Sequence, residues 1–466
     1  MRRFALLLPL LSLLAFELTA PITTGSAATE MTFKEPVLVS ANADQTAGEP
    51  SIRSAPDGTL YIVAPSGLGN IRTDNESGGG DIIWRSDDGG KTWQFLGSLD
   101  NQQGGGDADV APDQDGVVWG AGLTLANTTA AISTDKGENF NVNPISSLST
   151  VVDRQWIETY RNEPFAFLTT GQFNGSIILS RLERAPNDYP VVSNTVTVSG
   201  EDAYQWPGEI AVDEVDEEGL VYVGYNTAGG KRDDIKVART DLQLGNLQLA
   251  KVTTTKGDTF DSFVAVDVDR AGNVYAVWTE RRPRKLKKLG RTNTYLSASR
   301  DGGKNWTAPT RLNVRARTTT FPWVVAGSKG RVAVAYYGIN HRGASPEKVV
   351  YPGRRIPKWK VWVSYSLNAD SSSPTFIERR ATGRLHEGNV CTSGTGCDSG
   401  TRDLLDFFQL DLNPCGKIVI TYTDNSRDVV KKDGTRSKNE PELVAFVKQA
   451  AGPRFYTASP PEGARC

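Results

Sequence analysis

One unit of sequence recurs seven times along the chain: a short inner run, a turn carrying Gly or Asp/Asn, then a strongly apolar or aromatic run. The copies read EPSIRSAPDGTLYIVA from Glu49, DADVAPDQDGVVWGA from Asp107, DRQWIETYRNEPFAFL from Asp153 and GEIAVDEVDEEGLVYVGY from Gly208. The other three are DSFVAVDVDRAGNVYAVW from Asp261, FPWVVAGSKGRVAVAYY from Phe321 and DFFQLDLNPCGKIVITY from Asp406. Each is β-hairpin grammar, with runs of Val, Ile, Tyr and Trp flanking a turn of the Asp-Gly type. A single hairpin cannot bury both faces of its small sheet. The units must therefore stack side by side, and radial closure removes most of the exposed strand edges. The 466 residues, which would otherwise suggest three domains at about 150 residues each, are then one repeat-built unit. The predicted fold is all-β, a propeller of four-stranded blades, seven-bladed by the repeat count, with six blades as the alternative.

Composition agrees and narrows the function. Gly at 46 and Pro at 24, beside 10 Trp, 14 Tyr and 16 Phe, suit a folded, turn-rich β protein. With 52 basic against 54 acidic residues, no global positive field exists to hold nucleic acid by counterion release, and no nucleic-acid partner is expected. Arg2 and Arg3 precede an apolar run from Phe4 to Phe16, and the small-x-small pattern Ser26-Ala27-Ala28 follows. Residues 1–28 read as a signal peptide, with a single propeller domain over 36–466. The apolar run is too short to span a bilayer and none later is longer, so no membrane span is expected and the mature protein is expected to be secreted. Four cysteines, Cys391, Cys397, Cys415 and Cys466, fall in the last fifth of the chain. In an exported protein an even count favours disulfides, and three pairings exist. The flexible CTSGTGC stretch favours Cys391 with Cys397, leaving Cys415 for Cys466; zinc is disfavoured by the lack of CxxC spacing and of imidazoles beyond His341 and His386.

Downstream of three hairpins stands a second signature: SDDGGKTW at Ser86 to Trp93, STDKGENF at Ser133 to Phe140, and SRDGGKNW at Ser299 to Trp306, with a decayed copy in SLNADSSSPTF. Asp and Ser side chains are expected to bond back to turn amides, with the aromatic ring plugging the space between sheets, a structural rather than catalytic device. These boxes resemble the Asp-box, or bacterial neuraminidase repeat, of sialidases and related propellers. The resemblance implies the propeller fold over nearly all of the mature chain and leaves activity open.

In such a blade the boxes lie on the face opposite the starts of the inner strands, so a site is expected where those starts gather around the axis. Glu49, Asp107, Asp109, Asp153, Glu209, Asp261 and Asp406 are expected there, each read alternatively as a cap on blade-to-blade hydrogen bonds or a ligand to a structural calcium ion on the axis. No other cofactor is expected. Carboxylates crowded in a cleft push their pKa values apart, leaving one as an acid and another ionised, and arginines can grip a substrate carboxylate. Two basic insertions, RRPRKLKKLGR from Arg281 and HRGASPEKVVYPGRRIPKWK from His341, would add positive potential on that face and draw an acidic carbohydrate partner. They read equally as solvated charge runs. His386-Glu387 could serve proton transfer but reads more readily as structural, a loop histidine near a disulfide, and the Gly-rich stretches at Ser77 and Gln103 do not resemble phosphate loops.

Sialidases use three arginines on the substrate carboxylate, a tyrosine nucleophile activated by a glutamate, an aspartate acid/base, and an (F/Y)RIP motif on the first blade. Here the first unit has EPSIRS, the only RIP is the late RRIP at Arg354, and seven units stand against six blades. The leading expectation is a glycoside hydrolase for a sialic or uronic glycan. Asp107 or Asp261 would donate a proton to the leaving oxygen, Tyr337 or Glu209 would attack or orient the sugar, and Arg154, Arg281, Arg402 and Arg342 would hold its acidic group. The rivals are a non-catalytic glycan- or protein-binding propeller and a polysaccharide lyase.

Overall fold

The computed structural model describes residues 30–40, 45–66, 80–101, 105–124, 127–145, 152–161, 163–172, 175–199, 205–215, 219–227, 231–259, 263–281, 290–341, 345–349, 355–393, 397, 402–426 and 442–466. Among them the strands form seven antiparallel sheets, one per repeat, arranged as a seven-bladed β-propeller without helices. The innermost strands, in order around the axis, are Ser51–Ser54, Asp109–Pro112, Val152–Thr159, Gln205–Val212, Ala265–Val268, Thr318–Ala326 and Leu410–Leu412. Each is followed by its hairpin partner, as the seven sequence units predicted.

The tight turns of these hairpins follow from their residues. In blade 2 the Asp113 carboxylate accepts the amides of Asp115 and Val117, and Gly116 takes a φ of 84° that a side chain would resist. Blade 5 repeats the device with Asp269 and Gly272 (φ 74°). The third-to-fourth turns carry the boxes. Ser86 and Asp88 accept the amides of Gly90, Lys91 and Thr92, and the same bonds recur from Ser133 and Asp135 and from Ser299 and Asp301. Their aromatics pack on the preceding blade, as Trp93 does edge-on against Phe446, 5.2 Å between centroids. The hairpin turns and these turns share one face, here the turn face; the inner strands begin on the other, the loop face.

The ring closes between the chain's two ends. The strand Leu443–Ala451 pairs with Ile418–Asp424 on one side and with Thr32–Phe33 and Val37–Leu38 on the other. Thr32–Phe33 and Val37–Leu38 thus share the outer edge of blade 7, the first of them lying ahead of residue 36. Both disulfides take the favoured pairing, Cys391 with Cys397 and Cys415 with Cys466. The second, with an Arg465 to Asp57 ion pair at 2.8 Å, ties the C-terminal tail across blades 7 and 1 on the turn face. No helix among the described residues is long and apolar enough to cross a membrane.

Candidate functional site

Inner strands of neighbouring blades splay around the axis and form no ladder with each other, so their edge amides need other acceptors. Acidic and amide side chains supply them. Asp109 accepts Ile157 N–H at 3.1 Å, Asp267 accepts Ala326 N–H at 2.6 Å, and Asp411 accepts Ser54 N–H at 2.7 Å, each from the next blade. Gln409 does the same for Ile52 at 3.1 Å. Much of the axial acidity therefore has a structural use as blade-to-blade caps.

At the loop face, residues close to the starts of several inner strands take the left-handed region: Glu49 (φ 52°), Asp107 (φ 50°), Arg154 (φ 66°), Phe321 (φ 52°) and Leu405 (φ 55°). None is glycine, and each such residue costs about 1 kcal/mol or more. A bulge accompanies them between Asp153 and Gln155 and between Thr320 and Trp323. The turned backbone brings Glu49, Asp107 and Arg154 together with Arg402 and Asp406 from the last unit. Arg154 bonds Asp107 at 2.6 Å and Asp406 at 2.7 Å, with Glu49 at 3.8 Å. Arg402 bonds Glu49 at 3.0 Å and also reaches Asp406, whose amide in turn donates to Glu49 at 3.0 Å.

The cluster is buried, and burial governs its protonation. Desolvation lifts Glu49 from 4.5 to about 8 against the pull of Arg402 and Arg154. It lifts Asp107 from 3.8 to about 6, opposed chiefly by Arg154. Of the two guanidinium groups Arg402 is the more accessible, its side chain 17% exposed against 6% for Arg154.

Beneath the cluster lies an aromatic plug. Trp156 packs at 4.8 Å from both Trp323 and Phe407 and at 5.9 Å from Phe263, and the Arg154 guanidinium lies 4.3 Å over the Phe263 ring. Past the plug, Arg53 sits 3.5 Å from Glu158, 3.5 Å from Glu209 and 3.6 Å from Asp109. A cavity of about 480 Å³ then opens at the turn face, lined by Arg53, Glu158, Glu209, Asp267, Asp411 and Tyr456.

The expected site residues therefore divide. Asp107, Arg154 and Arg402 converge, and Glu49 and Asp406 join them. Glu209 does not: the bulge between Pro207 and Ile210 carries it past the plug, where it takes the Trp323 indole N–H at 2.9 Å. Tyr337 is enclosed between blades 6 and 7, where its hydroxyl accepts Thr423 N–H at 3.0 Å and its ring lies 4.1 Å from Phe408. Burial pushes its phenol up, the reverse of what an attacking phenolate needs. Arg281 bonds Asp258 at 2.8 Å on the loop face, apart from the contacts of the cluster. Asp261 and Arg342 lie outside the described residues, as do 282–289 of the first basic insertion. His386 is buried between Asn425 and the Asn389 carbonyl, at 3.0 and 3.1 Å, a structural placement. Arg53 escaped sequence reasoning, although in EPSIRS it stands two residues after Ser51 and so shares its face of the strand.

No family model and no curated protein matches this chain. Among solved structures it is similar to a protein of unknown function from Dyadobacter fermentans, at 14% identity and a TM-score of 0.46, over 90% of this chain and 99% of that one. An ulvan lyase of polysaccharide lyase family 25, bound to a glucuronate and sulfated rhamnose unit, matches at 9% identity and a TM-score of 0.48, over 88% and 95%. The sialidase of Trypanosoma rangeli in complex with sialic acid matches at 11% identity and a TM-score of 0.41, over 92% and 57%.

Proposed function

We propose that this is an exported propeller acting on an acidic carbohydrate at the loop face of its hub, as a glycoside hydrolase. The observation that carries the reading is the carboxyl cluster around Arg154. Asp107, lifted to about 6, and Glu49, lifted to about 8, form a buried pair whose protonation differs from that of the ordinary surface carboxylate, next to guanidinium groups of opposite charge. Donation to a glycosidic oxygen requires a carboxyl whose pKa is raised toward the working pH, as burial raises that of Asp107. Arg402, the more accessible guanidinium, is the group placed to meet the sugar's acidic substituent. Tyr337 and Glu209 have no part in this scheme.

The test is release of sugar from a panel of sialylated and uronate-containing glycans by the wild type and by Asp107→Asn. Release that Asp107→Asn lowers by about 10² or more, the usual size of a lost general acid, supports the reading. No release from any glycan by the wild type refutes it. A second reading, a glycan-binding propeller without catalysis, is favoured by one specific observation: Arg154 is already satisfied by Asp107 and Asp406. That reading predicts retention on acidic polysaccharide without turnover.

A further inference from the structure

On the loop face, out along blade 6, lies a cavity unrelated to the hub cluster by any residue. It measures about 240 Å³ and is lined by Gly338, Asn340, His341, Arg355, Ile356, Pro357, Lys358, Lys360 and Trp362. Four of these side chains are basic or can become so, and none is a carboxylate. The strand Lys358–Ser366 starts at this wall and pairs with Val332–Ile339, so Lys360 stands opposite Gly338, and the Trp362 indole donates to the Gly338 carbonyl at 3.1 Å. Indole, Ile356 and Pro357 make a rigid apolar wall; lysines and Arg355 supply the charge.

The charge of two of these groups is unmatched by a carboxylate among the described residues. Lys358 reaches Glu387 at 3.3 Å, but Lys360 and Arg355 have no carboxylate partner among the described residues. Burial and the neighbouring Arg380 and Lys358 cations hold the Lys360 ammonium below its ordinary pKa. Cations crowded into a concave site gain free energy when an anion enters, since one bound anion relieves each of the repulsions together. At about 30 Å³ per water the volume equals some eight waters, room for one sugar ring and little more.

We propose that this cavity is a subsite for a single anionic sugar unit, held through its sulfate or carboxylate group by Arg355, Lys358 and Lys360 with the ring against Ile356 and Trp362. The proposal rests on the acidic-carbohydrate reading above and assigns that partner a second point of contact, away from the hub.

The test is calorimetric titration of the whole protein with three tetrasaccharides: heparin-derived, oligogalacturonate and maltotetraose. The expected result is binding of one or both acidic probes and none of maltotetraose, with affinity weakened about tenfold or more in the Arg355→Gln/Lys360→Gln double variant, the loss typical of removing charge-assisted hydrogen bonds. Arg355→Gln alone, at an exposed position that cannot compromise the fold, should show the same direction. Arg300→Gln/Lys304→Gln, which removes as much positive charge from the turn face, should bind as the wild type does. Binding of neither acidic probe, equal binding of maltotetraose, or undiminished affinity in the double variant would each overturn the proposal. Its fate is separable from that of the hydrolase: sugar release absent in the wild type with binding intact removes the hydrolase and leaves the subsite, whereas release present with binding unchanged in the double variant does the reverse.

Discussion

Replacing Glu49 by Gln should leave stability near pH 5 almost unchanged and weaken its fall as pH rises toward 8. Glu49 is fully enclosed, and burial raises its carboxyl from 4.5 to about 8. Between those values the folded protein holds a proton that the unfolded chain has released. Stability therefore falls as pH rises through the window, at about 1.4 kcal/mol per pH unit for one proton. The contribution is fully present below pH 4.5 and lost above about 8, roughly 5 kcal/mol across the window if the group titrates alone. The amide of the Glu49→Gln variant cannot titrate, yet its carbonyl still accepts the Asp406 N–H that Glu49 accepts at 3.0 Å. Near pH 5 the variant should lie within about 1 kcal/mol of the wild type, as an amide replaces a neutral acid. Between about pH 5.5 and 7.5 it should then gain on the wild type by close to one proton's slope. Urea denaturation at half-unit pH steps, with the denaturant slope checked for constancy, measures the difference directly. Parallel curves for the two proteins would show that Glu49 does not carry its proton into the fold, and would remove the protonated partner assumed beside Asp107.

Other substitutions probe neighbouring parts of the hub and the ring closure. Arg154→Ala leaves Asp107 and Asp406 buried without the guanidinium they share at 2.6 and 2.7 Å, and should cost about 3–5 kcal/mol in urea denaturation near neutral pH. Asp411→Ala orphans the Ser54 amide across the seam between blades 7 and 1, for about 1–3 kcal/mol, while Asp411→Asn, which keeps an acceptor, should cost less. Cys466→Ser opens a loop with a sequence separation of 51, worth about 4 kcal/mol in the chain-entropy limit, whereas Cys391→Ser opens one of only 6, worth about 2 kcal/mol. Thermal unfolding should rank the two accordingly, and equal losses would contradict the entropic account.

The blades were legible in the sequence because a hairpin is a local object. In DADVAPDQDGVVWGA the turn acceptor Asp113, the left-handed Gly116 and the apolar run that follows all lie within a few residues of one another, so pattern and contact coincide. The same holds for the boxes, whose Ser and Asp reach amides no more than four positions away. Closure is harder to see. Nothing in Thr32–Phe33 announces that it completes a sheet begun more than 370 residues later, and a boundary drawn from the repeats alone falls after it.

The hub shows why residue type at a matching repeat position does not define a site. Asp267 and Glu209 both sit on inner strands and both face the axis, yet Asp267 spends its oxygens on the Val268 and Ala326 amides, while Glu209 meets an indole N–H and the Arg53 guanidinium. The distinction lies in what stands opposite, a contact between blades more than 50 residues apart, which no local pattern encodes. The aromatic plug acts in the same way. Trp156, Phe263, Trp323 and Phe407 come from four blades, and each reads in sequence as ordinary core. Only their meeting on the axis divides the acids into a loop-face group around Arg154 and a turn-face group around Arg53. Low dielectric at the plug then sets the chemistry above it: the same burial that makes Arg154 need Asp107 and Asp406 is what keeps a proton on Glu49. Ion pairing and raised carboxyl pKa values at this hub are thus two consequences of one desolvated layer, and a substitution that wets the plug, such as Trp156→Ala, should relax both together.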